Sequence, residues 1–166
     1  LQDYTNNLYA NTPREINVLE KPNNNITLEC DELCSFCENR GNKQWVWLAL
    51  DKDTKEVASI HIGDRSAESA QKLWDLLPLQ YRENATCYTD FWQAYQCVIP
   101  SQQHHSVGKE TGLTNHIERF NNTLRQRVSR LVRKTLSFSK KLDNHIGAIW
   151  YFIRHYNEQI QLALTV

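Results

Sequence analysis

The sequence predicts a mixed α/β domain in which strands come first and helices last. Three observations carry this prediction: strand-like alternation and apolar runs over residues 26–62, a capped helix followed by a further strand over residues 66–89, and helical periodicity from residue 114 onward. At 166 residues the chain is long enough for one domain with a substantial core and short for two. Residues 1–25 are expected to form a linker or N-terminal extension, and residues 26–166 the domain itself.

Three consecutive strands are predicted in the first half of the chain. Residues 26–33 alternate between apolar and polar side chains, which predicts a strand with Asp31 on its polar face. The continuous apolar run 45–50 is typical of a central strand that is covered on both faces. A short loop at 51–53 leads into a third strand at 57–62, so the three strands are expected to pair antiparallel.

A helix and a fourth strand follow. Ser66 is a favourable N-cap residue, the apolar residues after it share one helical face, and Pro78 ends the pattern. Residues 85–89 predict a short strand that ends at Asp90. Residues 99–113 contain a proline and two glycines and are typical of a loop with room for one more short strand.

Two helices are predicted in the last third. From Thr114 to Leu131 apolar residues recur at spacings of three and four, and another helical stripe begins near Ser139. The resulting order is three antiparallel strands, a crossover helix, further strands and C-terminal helices. Ribonuclease-H-like domains have this order, although many other α/β folds are compatible with it.

The composition excludes several classes of protein. Hydrophobic residues make up 40% and charged residues 23%, as in ordinary soluble proteins. No apolar run is long enough to span a bilayer, so a cytoplasmic protein is expected. The odd number of cysteines, five, favours reduced thiols. Cys30, Cys34 and Cys37 have spacing that partly suits zinc, but a structural zinc site needs four ligands, so free thiols are the preferred interpretation.

Charge is distributed unevenly along the chain. Residues 1–100 hold nine Lys/Arg against fifteen Asp/Glu, a balance of −6, whereas residues 101–166 hold ten against four, a balance of +6. Residues 125–141, the basic segment, contain seven Lys/Arg and no acid. An acidic half able to hold cations beside a basic half able to hold phosphates suggests a metal-dependent nucleic-acid enzyme. A solvated basic helix is the simpler alternative.

Three acids occupy positions where a catalytic site could form. Two-metal phosphoryl transfer needs carboxylates from separate elements that converge on a pair of ions. Asp31 lies on the first strand, Asp90 at the end of the fourth, and Glu118 on the helix that starts at Thr114. Glu118 and Arg125 are two helical turns apart and share a face, where a metal ligand and a phosphate ligand could lie together. Because the chain has nineteen acids, a chance trio is the alternative.

Local motifs then indicate a family. Five segments resemble, in the same order, the transposases of the insertion-sequence-one family: Cys-Asp-Glu-Leu at 30–33, Gln-Trp at 44–45, Thr-Asp-Phe-Trp-Gln-Ala-Tyr at 89–95, Ile-Glu-Arg-Phe-Asn at 117–121 and Leu-Ser-Phe-Ser-Lys at 136–140. The resemblance extends from about Ile26 to about Asn157 and is most specific over 114–141.

The resemblance implies an enzyme and its site. It implies that Asp31, Asp90 and Glu118 are the catalytic acids and hold two Mg²⁺ ions, for which Mn²⁺ can substitute. The substrate would be the double-stranded DNA of inverted-repeat transposon ends, which is cleaved and then joined to target DNA. The cell would be bacterial in type and the protein associated with the nucleoid.

The basic segment and the helix before it are expected to bind the DNA backbone without reading sequence. The candidate contact residues are Arg119, Asn122, Arg125, Arg127, Arg130, Arg133, Lys134 and Lys140. His116 is a weaker candidate for a DNA contact. Trp92 and Tyr95 could stack on an unpaired base, but core packing is the preferred interpretation for both.

The sequence also departs from the family pattern. The 27 residues between Asp90 and Glu118 are a few more than the family leads us to expect. Complete transposases of the family carry an N-terminal zinc-binding and helix-turn-helix region, and nothing before Ile26 could supply it. The chain is therefore expected to lack its DNA-recognition module. Two alternatives remain: another ribonuclease-H-like nuclease or integrase, and a non-catalytic DNA-binding or assembly module derived from a transposase.

Self-association on DNA is expected through the last helix. Two transposon ends must be processed together, and one set of three acids makes one site. Beyond its main apolar stripe, the helix carries Tyr151, Phe152 and Tyr156 on flanking positions, more apolar surface than a small sheet needs. Packing of these aromatic residues on the domain's own helices is the alternative.

Overall fold

A five-stranded mixed sheet organises the chain. The computed structural model describes residues 2–22, 25–131 and 139–165. Its strands have the order β3-β2-β1-β4-β5. β1, β2 and β3 pair antiparallel, β4 is parallel to β1, and β5 is parallel to β4. The strands are β1 (Ile26–Phe36), β2 (Lys43–Asp51), β3 (Val57–Gly63), β4 (Ala85–Thr89) and β5 (His104–Ser106).

Helices cover both faces of this sheet. Two short 3-10 turns, Lys109–Thr111 and Ser129–Leu131, flank the fifth helix. The α-helices are α1 (Gln2–Ala10), α2 (Ala67–Asp75), α3 (Leu79–Asn84), α4 (Gln93–Val98), α5 (Asn115–Arg127) and α6 (Leu142–Leu164). Among the described residues, none of these helices combines the length and hydrophobicity that a membrane span requires.

The alternation of side chains along β1 and β2 creates two cores. Trp47 and Tyr95 belong to the core under α2, α3 and α4, and Leu48 and Ile117 to the core under α5 and α6. Successive residues of a strand point to opposite faces. The two layers are called below the α2 side and the α5 side.

The predicted fold class is confirmed. The three antiparallel strands, the crossover helix, the later strands and the C-terminal helices all occur in the predicted order. Ser66 caps α2 as expected, and its hydroxyl accepts a hydrogen bond from Ser69 N at 3.2 Å. The last helix begins close to the predicted start: α6 starts at Leu142, three residues after Ser139, because Ser139 forms a β-bridge with Cys37.

The N-terminal residues contain a helix that the sequence did not indicate. α1 packs along α6, where Gly147 allows the approach: an added Cβ would lie 2.6 Å from Tyr9 Cβ. Further along α6, Arg154 donates to the Glu15 carbonyl at 2.9 Å and Gln161 to the Asn17 carbonyl at 3.0 Å. No residue of α1 is fully buried, so the helix has no apolar stripe from which it could be predicted.

Candidate active site

The three predicted acids line one cavity. β1 and β4 run parallel with Glu29 opposite Tyr88, so Asp90, two residues after Tyr88, comes beside Asp31, two residues after Glu29. α5 brings Glu118 to the same place from above the sheet. Asp31, Asp90 and Glu118 thus share the lining of this cavity, the acid cavity, with four other residues: Cys30, Val107, Lys109 and Thr114.

A buried carboxylate fixes the start of α5. Glu29 is fully buried, and its Oε2 accepts hydrogen bonds from His116 N and Ile117 N, both at 2.9 Å. Its Oε1 lies 2.7 Å from His116 Nδ1. A carboxylate at a helix N-terminus satisfies free backbone N–H groups and stabilises the helix dipole. Glu29 therefore fixes the turn of α5 that carries Glu118, and His116, a weak candidate for a DNA contact, is bonded within the fold.

Asn121, one turn after Glu118, connects α5 to the first acid. Its Nδ2 donates to Asp31 Oδ2 at 2.7 Å, while its Oδ1 is buried and has no hydrogen-bond partner. At the start of the helix, Thr114 Oγ1 donates weakly to Glu118 Oε1 at 3.4 Å. The sequence includes Asn121 in the Ile-Glu-Arg-Phe-Asn motif but offers no separate reason to select it as a site residue.

The surroundings of Asp31 are unfavourable for negative charge. Burial raises the pKa of Asp31 to about 7, the neighbouring charges of Glu32 and Asp90 add to this, and the hydrogen bond from Asn121 opposes it. A carboxylate in such surroundings gains stability from a nearby cation. Burial and neighbouring acids, the two causes that raise the pKa of Asp31, are also found where several carboxylates surround a bound cation.

The donor set suits a hard divalent cation. Asp31, Asp90 and Glu118 offer carboxylate oxygens, the ligands that Mg²⁺ prefers. Within the described parts of the chain, no three His, Cys, Asp or Glu side chains already have the arrangement of a metal site. The acids fit the ion by their chemistry and by their location in one cavity.

The candidate DNA-contact residues divide into two groups. Arg119, Asn122, Arg127 and Lys140 are exposed. The other two described candidates are held by the fold: Arg125 donates to the Cys34 carbonyl at 3.4 Å, and Arg130 donates to Ser139 Oγ at 3.1 Å. Arg133 and Lys134 lie outside the described residues.

Arg130 belongs to a buried chain of hydrogen bonds centred on His145, which is fully buried on α6. Ser35 Oγ donates to the Gln44 carbonyl at 3.0 Å, so it must accept from His145 Nε2 at 2.9 Å. The remaining ring nitrogen, Nδ1, then accepts from Ser139 Oγ at 3.1 Å. This assignment follows from counting donors and acceptors. Burial, followed by the charge of Arg130, lowers the pKa of His145 to about 4.

The aromatic residues after Asp90 belong to a structural cluster on the α2 side. Tyr95 is buried, and its hydroxyl donates to Glu32 Oε2 at 2.9 Å, so core packing is the correct alternative for this residue. The guanidinium of Arg65 lies 4.0 Å from the ring centroid of Trp92 and 4.5 Å from that of Trp45. Trp92 is half-buried in this stack, so it too packs against the domain itself.

The cysteines are all free thiols among the described residues. Cys30 is buried in the core of the α2 side, and Cys37 Sγ donates to the Ser139 carbonyl at 3.2 Å. These surroundings are those of structural thiols.

The sheet order and the helices on both faces define a ribonuclease-H-like domain. The fold is similar to a chain in the cryo-EM structure of the simian T-cell lymphotropic virus intasome in complex with PP2A regulatory subunit B56 gamma, with a TM-score of 0.52 and 13% sequence identity, over 84% of this chain and 51% of that one. The sequence matches the IS1 transposase family over residues 25–159, and the chain belongs to that family.

Curated relatives agree with this assignment. The chain is 34% identical to the insertion element iso-IS1n protein InsB of Shigella dysenteriae, over 77% of this chain and 94% of the relative. It is 31% identical to the insertion element IS1 4 protein InsB of Escherichia coli K12, over 79% of this chain and 77% of the relative. The family resemblance indicated by the local motifs is confirmed.

Proposed function

We propose that this chain is a DNA transposase catalytic core that cleaves transposon ends and joins them to target DNA with the help of divalent metal ions. The observation that supports it best is the meeting of three carboxylates, from β1, the end of β4 and α5, in one cavity. Membership of the IS1 transposase family supports the same activity.

Asp31, Asp90 and Glu118 would hold two Mg²⁺ ions, or Mn²⁺ in their place. When bound, such ions polarise the phosphate and make the attacking oxygen more nucleophilic. The protein's own part is to position the acids. Asn121 orients the carboxylate of Asp31, and Glu29 fixes the helical turn that carries Glu118. A site that is ordered before the substrate arrives loses little energy to rearrangement.

Double-stranded DNA is the proposed partner, bound through phosphates. Arg119, Asn122, Arg127 and Lys140 are exposed and available for it. Arg125 and Arg130 would add positive charge while they hold the fold together. Contacts of this kind bind all DNA sequences and weaken steeply with salt.

Self-association on DNA is part of the proposal, because two ends need two sites. The apolar surface left on α6 is narrower than the sequence suggested. Phe152 and Tyr156 are half-buried, and the Tyr156 ring lies 4.8 Å from that of Phe120 on α5. Tyr151 is 44% exposed and Leu162 60% exposed, so the contact between copies is proposed at these residues.

The test of the catalytic proposal is a set of isosteric substitutions. Asp31→Asn, Asp90→Asn and Glu118→Gln should each lower the rates of end cleavage and strand transfer by on the order of 10³-fold, since each weakens stabilisation worth several kcal/mol. The assay uses a duplex that carries the terminal repeat of the protein's own element, with Mg²⁺ or Mn²⁺. Circular dichroism checks that the variants fold.

Glu68→Gln is the matched control, because Glu68 is an exposed acid on α2, across the sheet from α5. It should cleave like the wild type. Equal activity in the three site variants would contradict the proposal. A wild-type protein that binds DNA ends with no cleavage in either metal would favour the non-catalytic assembly module instead.

A further inference from the structure

One basic residue lies in the wall of the acid cavity. Lys109 lines it together with Asp31, Asp90 and Glu118, and it is an exposed residue. None of the ion pairs found among the described residues involves Lys109. Lys109 therefore lies beside the acids without forming an ion pair with them, and its ammonium group is available to a ligand.

The backbone around Lys109 is fixed on both sides. Before it, Val107 N donates to the Thr89 carbonyl at 2.9 Å, which attaches the loop to β4 next to Asp90. After it, the 3-10 turn ends at Gly112, whose φ of 68° lies in the left-handed region that favours glycine. The Gly112 carbonyl then accepts from Asn115 N, at the start of α5. Lys109 is thereby placed between the elements that carry Asp90 and Glu118.

Three carboxylates repel a phosphodiester wherever bound cations do not neutralise them. Ammonium groups bind phosphate oxygens as point charges, and a single one offsets part of this repulsion at close range. Among the described residues that line the acid cavity, Lys109 is the one with a lysine or arginine side chain. The basic segment begins only at Arg125, in the last turn of α5.

We propose that Lys109 contacts the DNA phosphate that is cleaved and positions it over the acids. This inference rests on the proposed function. The proposed contact predicts opposite effects on DNA binding and on Mg²⁺ binding when the charge of Lys109 is removed. Loss of the ammonium charge should weaken DNA binding and slow cleavage. The same loss should leave binding of Mg²⁺ to the free protein unchanged or stronger, because a nearby cation repels the ion.

The experiment compares Lys109→Gln, Lys109→Arg and the wild type, with Lys72→Gln as matched control because Lys72 is an exposed lysine on α2. Binding to a duplex that carries the terminal repeat is measured in Ca²⁺ at several salt concentrations. Lys109→Gln should lower the slope of log affinity against log salt by about one unit, the effect of one lost phosphate contact. Single-turnover cleavage at saturating DNA should fall at least roughly tenfold, since a charge-assisted contact to the reacting phosphate is lost.

Further outcomes separate the possibilities. Lys109→Arg should keep the salt slope of the wild type, and Lys72→Gln should match it in both assays. An unchanged slope in Lys109→Gln would overturn the inference. So would weaker binding of Mg²⁺ alone, measured by calorimetry, because Lys109 would then shape the acids and not contact DNA. If the wild type fails to cleave at all, the proposed function fails, while the salt slopes still test the phosphate contact.

Discussion

Asp31 and Glu32 are neighbours on β1, yet they lie in two different environments. Glu32 points to the α2 side, where Arg65 Nε and Nη2 donate to its Oε1 at 2.9 and 2.6 Å and the Tyr95 hydroxyl donates to Oε2 at 2.9 Å. Asp31 points to the α5 side, where Asn121 provides its side-chain hydrogen bond. One carboxylate is paired at both oxygens, and the other faces a cavity.

This difference separates structural acids from functional ones. Glu29 and Glu32 are buried more completely than Asp31, but the helix N-terminus and Arg65 satisfy them. Burial by itself therefore does not indicate a catalytic acid. Burial raises the pKa of Glu32 as well as that of Asp31, so the distinguishing property of Asp31 is its place in the acid cavity. There its carboxylate faces other acids, and an added cation would stabilise its charge.

The largest effect on stability that we predict concerns another fully paired buried group, His145. Its folded pKa of about 4 lies below the value of 6.5 expected in the unfolded chain. At pH values between these two, the unfolded chain binds a proton that the folded protein does not. The free energy of unfolding should therefore fall as the pH decreases from 6.5 to 4, by up to about 3 kcal/mol from this residue.

Urea denaturation from pH 8 to pH 4 measures this decrease. In His145→Gln, the part of this decrease in the free energy of unfolding that comes from the imidazole should be absent. This holds even if the substitution lowers stability at pH 8. An equally steep pH dependence in the variant would show that other groups cause it.

Glu32→Gln tests the structural side of the comparison. The amide removes the negative charge from the bonds to Arg65 and Tyr95 while it keeps the volume of the side chain. We expect the free energy of unfolding to decrease by about 2 kcal/mol, the usual contribution of a hydrogen bond to a charged group. Thermal or chemical denaturation measures the change. If Glu32→Gln causes no loss of stability, Glu32 is not a structural acid and the comparison with Asp31 fails.

Asp31→Asn should change the free energy of unfolding in the opposite direction to Glu32→Gln. Without divalent metal at pH 8, the substitution removes a desolvated charge and should raise the free energy of unfolding by about 1 kcal/mol. Added Mg²⁺ should stabilise the wild type but not the variant, since ligand binding to the folded state raises its stability. Destabilisation by Asp31→Asn, equal to that of Glu32→Gln, would remove the distinction between the two carboxylates.

The sequence predicted the fold and the three acids of the cavity better than their surroundings. Alternation along residues 26–33 placed Asp31 on one face, and the end of a strand identified Asp90. The selection of Glu29 as a helix anchor depends on contacts with residues 87 or more positions away, which no local pattern records. The same holds for Arg130, whose structural role became visible only with Ser139 beside it.

The pairing of β1 has a geometric consequence for the DNA that we propose as substrate. β4 pairs with β1 only as far as Glu29, and the next bridge on that edge joins Cys37 to Ser139. Between them, no described strand pairs with residues 30–35 on that edge, and Arg125 donates to the Cys34 carbonyl there. At about 3.3 Å per residue, the six steps from Asp31 to Cys37 measure roughly 20 Å. One strand of DNA rises about 3.4 Å per nucleotide, so the proposed DNA partner would span this distance with about six nucleotides, from the acids to the Cys37–Ser139 bridge.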